Sequence, residues 1–321
     1  MKILLAGGAG YVGAALVPEL LEQGYEVKVI DSLWFGNNLP KEIPVEKKDL
    51  FSCKVEDFKD FDQVIFLAGL SNDPMAEYDP ALNFVSNASV PAYIAFLAKT
   101  AGVKRFIYAS SCSVYGYAQD KFYTEKDDTD CDYPYGISKL QGETGSLQLK
   151  DENFSVIVLR QGTISGYSPR MRLDLVVNTM FKSALAEGKI KVNNPSIWRP
   201  ILDIRDAITA YIRAIQAEQK INGIFNIASN NYTIGSVGET VKVELEKALN
   251  TKLKLELNDM KDFRNYKVST YKAETILGFH PKHAISDIVK NLLDNKQEFL
   301  ENSNDDKYYN IKTFKKIKQF K

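Results

Sequence analysis

The sequence predicts an α/β protein: a doubly wound parallel sheet carrying a smaller α/β C-terminal lobe. Two observations carry this. Short apolar runs of strand length alternate with helical stretches through the first half of the chain, which is the pattern of right-handed β-α-β units. The first of these runs leads directly into glycines at three-residue spacing that open a helix. With 321 residues, 45% of them hydrophobic, the chain can form one large unit or two lobes sharing a cleft, and can bury a sizeable core.

Ile3 to Ala6 is an apolar run of the kind that fills a buried parallel strand. Tyr11 to Gln23 fits a helix, stopped by Gly24. Tyr25 to Ile30 is a second strand, ending at Asp31, and a shorter one ends near Asp49. Val64 to Ala68 is a fourth strand. Pro80 to Lys99 reads as a helix closed by Gly102, Val103 to Ala109 as a fifth strand, Pro134 to Lys150 as a helix, and Phe154 to Leu159 as another strand. Beyond Arg160 the rhythm loosens around Pro169, Pro195 and Pro200. Helices fit Leu173 to Glu187, Asp206 to Gln219 with Asp206 as its N-cap, Val237 to Leu249, and roughly Ile285 to Leu300. No low-complexity tether separates the halves, so the second lobe is built onto the first.

Lys+Arg and Asp+Glu are both 41. A balanced chain has no whole-molecule field to draw it onto nucleic acid or an anionic membrane, and neither is expected as a partner. The last fifteen residues carry six lysines and no acid. They read as a frayed, solvated tail. The recurrence of Ile311, Phe314 and Ile317 also fits a short helix docked on the body. Three scattered cysteines suit a reducing cytoplasm. The two histidines, His280 and His283, have no third partner at metal-ligand spacing, so no metal is expected. No apolar run reaches a membrane span of ~18–20 residues, and the N-terminal run is shorter than a signal-peptide core of ~7–15. A cytoplasmic protein is therefore expected.

Gly7-x-x-Gly10-x-x-Gly13 lies between strand and helix. One glycine permits the tight turn, one lets the backbone approach a pyrophosphate, and one lets helix and strand pack closely. The phosphates then meet the free N–H groups and dipole of the helix N-terminus. Asp31 ends the next strand, at the expected distance of about 20 residues for a carboxylate that binds ribose hydroxyls and repels an extra phosphate. The cofactor expected is NAD rather than NADP, on a Rossmann-type sheet.

Tyr135-Gly-Ile-Ser-Lys139 puts a tyrosine and a lysine on one helix face, with Pro134 suited to the helix start. A free tyrosine ionises near ~10, so only about 0.1% is phenolate at neutral pH. Bringing it to neutrality takes ~4 kcal/mol, which a neighbouring ammonium and a positive nicotinamide can supply. Tyr135 would then serve as a general base. Upstream, Ser110-Ser-Cys-Ser-Val-Tyr-Gly116 follows the fifth strand, where hydroxyls face the ligand crevice.

In these motifs the chain resembles the extended short-chain dehydrogenase/reductases, in their nucleotide-sugar epimerase/dehydratase branch. The matching segments also include Asp49-Leu50, Leu67-Ala68-Gly69, Asn87 and Arg199-Pro-Ile-Leu-Asp-Ile-Arg-Asp206. The resemblance implies a catalytic Ser111, Tyr135 and Lys139. It implies cofactor contacts from Gly7, Gly10, Tyr11, Val12, Gly13, Asp31, Ser32, Asp49, Leu50, Leu67, Ala68, Gly69, Asn87 and Ser110, together with Tyr135 and Lys139. For a nucleotide-diphosphate sugar it implies Ser71, Ser111, Thr163, Arg170, Asp174, Arg199 and Arg264, with the arginines providing guanidinium forks for the diphosphate. Residues 1–160 with about 200–228 would form the NAD-binding domain, and about 161–199 with 229–321 the substrate lobe. A homodimer through the helices at 80–99 and 134–150, and a role in building cell-surface glycan, are implied in the same way.

The chain also departs from the branch. Ser111-Cys112-Ser113 stands where 4,6-dehydratases of the family look like Thr-Asp-Glu, so that activity is not expected. Cys112 is one place off the register of GDP-fucose-synthase-like members and reads as a packed residue. Thr163 and Asp203 stand where asparagine and histidine are frequent. The expected reaction is oxidation at sugar C4: Tyr135 takes the O4 proton, Ser111 holds that oxygen and hydride passes to NAD. Return of the hydride on the other face gives a 4-epimerase. A net 4-dehydrogenase or 4-keto reductase is the alternative that shares the same triad.

Overall fold

The computed structural model describes residues 1–259 and 264–319. Fourteen strands occur in these residues: β1 Lys2–Ala6, β2 Glu26–Asp31, β3 Val45–Lys47, β4 Gln63–Phe66, β5 Arg105–Ser111, β6 Tyr117–Tyr123, β7 Ser155–Gln161, β8 Thr163–Ser165, β9 Lys189–Asn193, β10 Trp198–Asp203, β11 Gly223–Ile227, β12 Asn230–Thr233, β13 Lys254–Asn258 and β14 Asn265–Val268. Seven of them form one parallel sheet in the order β11-β7-β5-β4-β1-β2-β3. This is the expected Rossmann-type doubly wound sheet. Strand order reverses between β1 and β4, so the crevice opens at their carboxyl ends, beyond Ala6 and Phe66.

The sheet strands are apolar because both faces are covered: every residue of β4 and β7 is buried. The helices are α1 Tyr11–Glu22, α2 Asp73–Tyr78, α3 Pro80–Phe84, α4 Val90–Thr100, α5 Pro134–Leu147, α6 Val176–Glu187, α7 Ile204–Gln216, α8 Ile234–Leu249, α9 Ile285–Asp294 and α10 Asn310–Gln319. α1 and α7 cover one face of the sheet, and α4 packs on the other. A separate core, built from α6, α8 and α9, carries the C-terminal lobe. The three-stranded sheet β12-β10-β8 and the pair β13-β9 belong to this region.

The helix expected at 80–99 is one rod with a π turn at Val85–Ser89 joining α3 to α4. Pro91 has no N–H to give to the Asn87 carbonyl, and the Tyr108 hydroxyl donates to it instead, at 2.9 Å. By length and composition the rod Pro80–Thr100 is apolar enough to span a bilayer. Half of it is buried, with Val90, Ile94, Ala95, Leu97 and Ala98 facing the sheet, so it is a core helix.

Two other expectations change. The helix expected from Asp206 starts at Ile204 and is capped by Asp203, whose carboxylate accepts the Arg205 N–H at 2.8 Å. Asp206 instead accepts from the N–H groups of Lys282 and His283 and pairs with the His283 ring at 2.7 Å. The lysine-rich tail is not frayed over residues 310–319. There it is α10, with Phe314 fully buried among Leu70, Met75, Trp34 and Phe35. Lys318 reaches Asp79 at 2.5 Å, and Lys316 reaches Asp306 at 2.7 Å. The apolar recurrence decides the outcome over the lysines, because lysine stems and ammonium groups can lie along the exposed side.

Candidate active site

The glycine turn is built as its chemistry requires. Gly7 has φ +81°, and a Cβ there would meet the Ala68 backbone at 2.5 Å. A Cβ on Gly13 would meet the Gly8 carbonyl at 2.1 Å, so α1 can rest on the turn only with glycine there. Asp31 lies opposite, accepting from the N–H groups of Ala9 at 3.0 Å and Leu33 at 2.7 Å. Burial pushes its carboxyl up, and these two bonds oppose that. Turn and carboxylate open on a cleft of about 920 Å³. Ser32, Asp49, Leu50, Leu67, Ala68 and Gly69 line the same side, as expected.

Ser111, Tyr135 and Lys139 converge on this cleft from β5 and α5. Ser111 Oγ accepts the Ser113 N–H at 3.1 Å. Lys139 Nζ donates to the Ala109 carbonyl at 2.9 Å and lies 5.9 Å from the centre of the Tyr135 ring. Burial pushes the Lys139 ammonium down to about 8, against the pull of Glu143. Burial pushes the Tyr135 phenol up, with the charge of Asp73 adding to it and hydrogen bonding with Ser111 opposing it. Desolvation thus works against the lowering of Tyr135 expected from Lys139 and a positive nicotinamide.

Beneath the triad lies a buried network that the sequence did not announce. Glu143, one turn beyond Lys139 on α5, takes a fork from Arg160 of β7: Nε to Oε1 at 2.9 Å and Nη2 to Oε2 at 2.7 Å. Ser110 donates to the same carboxylate. Arg160 continues to the Tyr115 hydroxyl at 2.9 Å, which donates to Asn226 at 2.7 Å. Cys112 is fully buried beside this network, its thiol 3.1 Å from the Arg160 carbonyl and pushed up by burial, as a packed residue would be.

Several expected ligand residues have side chains committed elsewhere. Ser110 lines the cleft, but its hydroxyl is given to Glu143. Asn87 is fully buried off the cleft, tying Leu70 to Asn83 and Ser138. The Tyr11 hydroxyl donates to the Gly166 carbonyl at 2.6 Å, which leaves only the α1 backbone there for a phosphate. Val12 lines the cleft at the same helix start.

On the far side, Thr163, Arg199 and Arg264 line the cleft, as expected for a substrate half. Arg199 donates to the Trp198 and Arg264 carbonyls and lies over the Tyr266 ring at 5.4 Å. Arg264 pairs with Asp73, a residue the sequence reading passed over. Asp262 and Phe263, which precede Arg264 in the chain, lie outside the described residues.

Arg170 and Asp174 also line the cleft, with part of their bonding taken by protein groups. Asp174 is held by both arms of Arg172, at 2.9 and 3.0 Å, and accepts from Asn72 and Asn310 at 3.3 Å. Arg170 stacks 4.0 Å over Phe35, donates to Asn310 at 2.5 Å and acts on Asp31, on the cofactor side of the cleft. Burial pushes its guanidinium down to about 9. Ser71 accepts from the Asn310 amide at 2.6 Å, so α10 forms part of the wall. The signal for this was the apolar recurrence in the tail, which said that it docks but not where.

A crevice of this make suits hydride chemistry beside a bound dinucleotide, with a tyrosine, a serine and a lysine arranged for proton transfer. Comparison with known proteins agrees, and the NAD dependent epimerase/dehydratase family matches residues 3–228. A UDP-glucose 4-epimerase of Neisseria meningitidis serogroup C is 33% identical over 273 residues, 75% of this chain and 80% of its own. UDP-glucuronic acid decarboxylase 6 of Arabidopsis thaliana is 29% identical over 300 residues, 88% of this chain and 84% of its own. In structure, a Bacillus cereus UDP-glucuronic acid 4-epimerase, solved with UDP-glucuronic acid and NAD, superposes with a TM-score of 0.82 at 24% identity, covering 93% of this chain and all of its own. The chain belongs to the NAD dependent epimerase/dehydratase family and is an NAD-dependent enzyme of the extended short-chain dehydrogenase/reductase type.

The burial of Lys139 has a measurable cost. Its fall from an ordinary value near 10.5 to about 8 corresponds to about 3 kcal/mol against the charged form in the folded chain. A depressed lysine destabilises the fold fully at pH below about 8, where folded and unfolded chains both carry the proton, and this cost fades as pH rises from about 8 toward the ordinary 10.5. Lys139→Met should therefore raise the melting temperature of ligand-free protein at pH 7 by several degrees, while NAD affinity measured by calorimetry falls at least tenfold. In the parent protein NAD affinity should decline as pH rises through about 8. A variant that is destabilised and binds NAD unchanged would contradict this role.

Proposed function

We propose that the chain is a nucleotide-sugar epimerase that works by reversible oxidation at C4 of the hexose. The observation that carries this reading is the convergence of Ser111, Tyr135 and Lys139 on one cleft that also takes in the glycine turn, Arg199 and Arg264. The 4-epimerase names among the relatives support it. In this reading Tyr135 takes the O4 proton, Ser111 holds that oxygen by hydrogen bonding, and Lys139 holds the cofactor ribose and favours the phenolate. NAD, when bound, accepts the C4 hydride and returns it. Arg199 and Arg264 grip the diphosphate, which leaves the sugar free to turn. The net 4-dehydrogenase or 4-keto reductase shares this machinery and differs only in the fate of the hydride.

The assembly proposed is a homodimer through α3, α4 and α5. Phe84, Tyr93, Phe96 and Ile137 are exposed on these helices, an apolar surface that a second copy would cover. Light scattering should give twice the chain mass of 36.2 kDa; a monomeric mass would remove this assembly.

The reaction is tested by incubating the protein with UDP-, GDP-, CDP- and dTDP-sugars while following product stereochemistry and NADH absorbance. The expected result is a C4 epimer with no lasting NADH. Stoichiometric NADH with a keto product would make the protein a dehydrogenase.

A further inference from the structure

We infer that Asp73 selects the sugar: its carboxylate, beside the catalytic tyrosine, accepts nucleotide hexoses that bring hydroxyl donors to it and rejects those that bring a carboxylate. This rests on the nucleotide-sugar reading above and narrows it to a substrate class.

Asp73 starts α2, on the chain that leaves β4 and passes Gly69 at the carboxyl edge of the sheet. Its position is fixed before any ligand arrives. Asn72 caps the helix by accepting the Met75 N–H at 3.1 Å, Pro74 holds the first turn, and Met75 is buried. The Asp73 side chain lines the cleft. Among charged groups its influence on the Tyr135 phenol is the largest. It lines the same cleft as Ser111 and Tyr135, where the reacting end of a substrate lies in the reading above.

Its bonding is incomplete. Oδ2 pairs with Arg264 across the cleft, while Oδ1 is buried with no hydrogen-bond partner. A buried carboxylate oxygen without a donor is costly, so Asp73 is already short of donors with Arg264 in place. In the reading above Arg264 is one of the two arginines that take the diphosphate. When it turns toward a diphosphate, Oδ2 of Asp73 needs a donor from the sugar. A neutral hexose offers several. A uronic acid brings acceptors and a like charge to the same place, which is a repulsive selection element. The cation Arg172 already gives both arms to Asp174, so it is not free to pair with Asp73 when Arg264 leaves. Relatives of this chain are named for both glucose and glucuronic acid, so family membership leaves the choice open.

The test uses the NAD-loaded full chain and compares UDP-glucose with UDP-glucuronic acid, by kcat/KM and by calorimetric affinity in a Tyr135→Phe background where turnover is suppressed. The parent should favour the neutral sugar by about 100-fold or more. Asp73→Asn, which keeps the shape and removes the charge, should narrow that ratio at least tenfold, chiefly by improving the uronic acid. Asp73→Ser is the second variant should the first fold poorly, as judged by melting temperature and NAD content. Equal use of both sugars by the parent, or an unchanged ratio in both variants, overturns the assignment while leaving the nucleotide-sugar reading intact. Failure of UDP itself to bind removes the UDP-sugar reading and the assignment together.

Discussion

The fork between Arg160 and Glu143 is the interaction on which the site depends. Both side chains are almost fully buried, at 3% and 1% exposure, so neither charge can be left without the other. Arg160 belongs to β7, Glu143 to α5, and Ser110 of β5 completes the carboxylate's bonding. This ties the helix bearing Tyr135 and Lys139 to two adjacent strands at the carboxyl edge of the sheet. Glu143 is one turn from Lys139, so the same contact sets the face on which both active groups stand. Close approach elsewhere on α5 relies on Gly142, where a Cβ would meet the Asn87 carbonyl at 2.3 Å. The catalytic face is thus positioned by a buried pair and a missing side chain together.

Burial then sets the electrostatic state of the empty cleft. It raises the phenol of Tyr135 and lowers the ammonium of Lys139, both away from the charged forms that proton abstraction needs. Asp73 deepens the effect on the tyrosine, and Arg172 opposes it. In the proposed reaction the opposing charge comes with the ligands: a bound dinucleotide would add positive charge and ribose oxygens, and a diphosphate would compete for Arg264. Preorganised groups whose charges are settled only on binding are a general means of confining chemistry to the closed complex.

What the sequence made legible follows from how local each cause is. The glycine turn, Asp31 and the first-half strands were readable because backbone geometry and strand-length apolar runs are local properties. The Tyr-x-x-x-Lys pair was readable because helix periodicity is local too. Asn87, Ser110 and Asp174 were expected to meet ligands, and part of the bonding of each is taken by protein groups: the Asn87 amide, the Ser110 hydroxyl and the Asp174 carboxylate. Only the three-dimensional neighbourhood, Leu70 for Asn87, Glu143 for Ser110 and Arg172 for Asp174, decides that. Asp73 and Arg172 were missed because a lone acid in a loop and one arginine among several carry no spacing signal. The short strands β8 to β14 were missed because three to six mixed residues give no clear period. The helix α10 was legible as an option, and the burial of Phe314 decided it.

The proposed epimerisation requires hydride to leave and return to the same sugar carbon. The most direct measurement is mass spectrometry of product formed by the NAD-loaded enzyme from a nucleotide hexose deuterated at C4. The epimerised sugar should keep its deuterium at C4, with none appearing in solvent or in released reduced cofactor. Loss of the label from C4 in the epimer, or its recovery in free reduced cofactor, would contradict it.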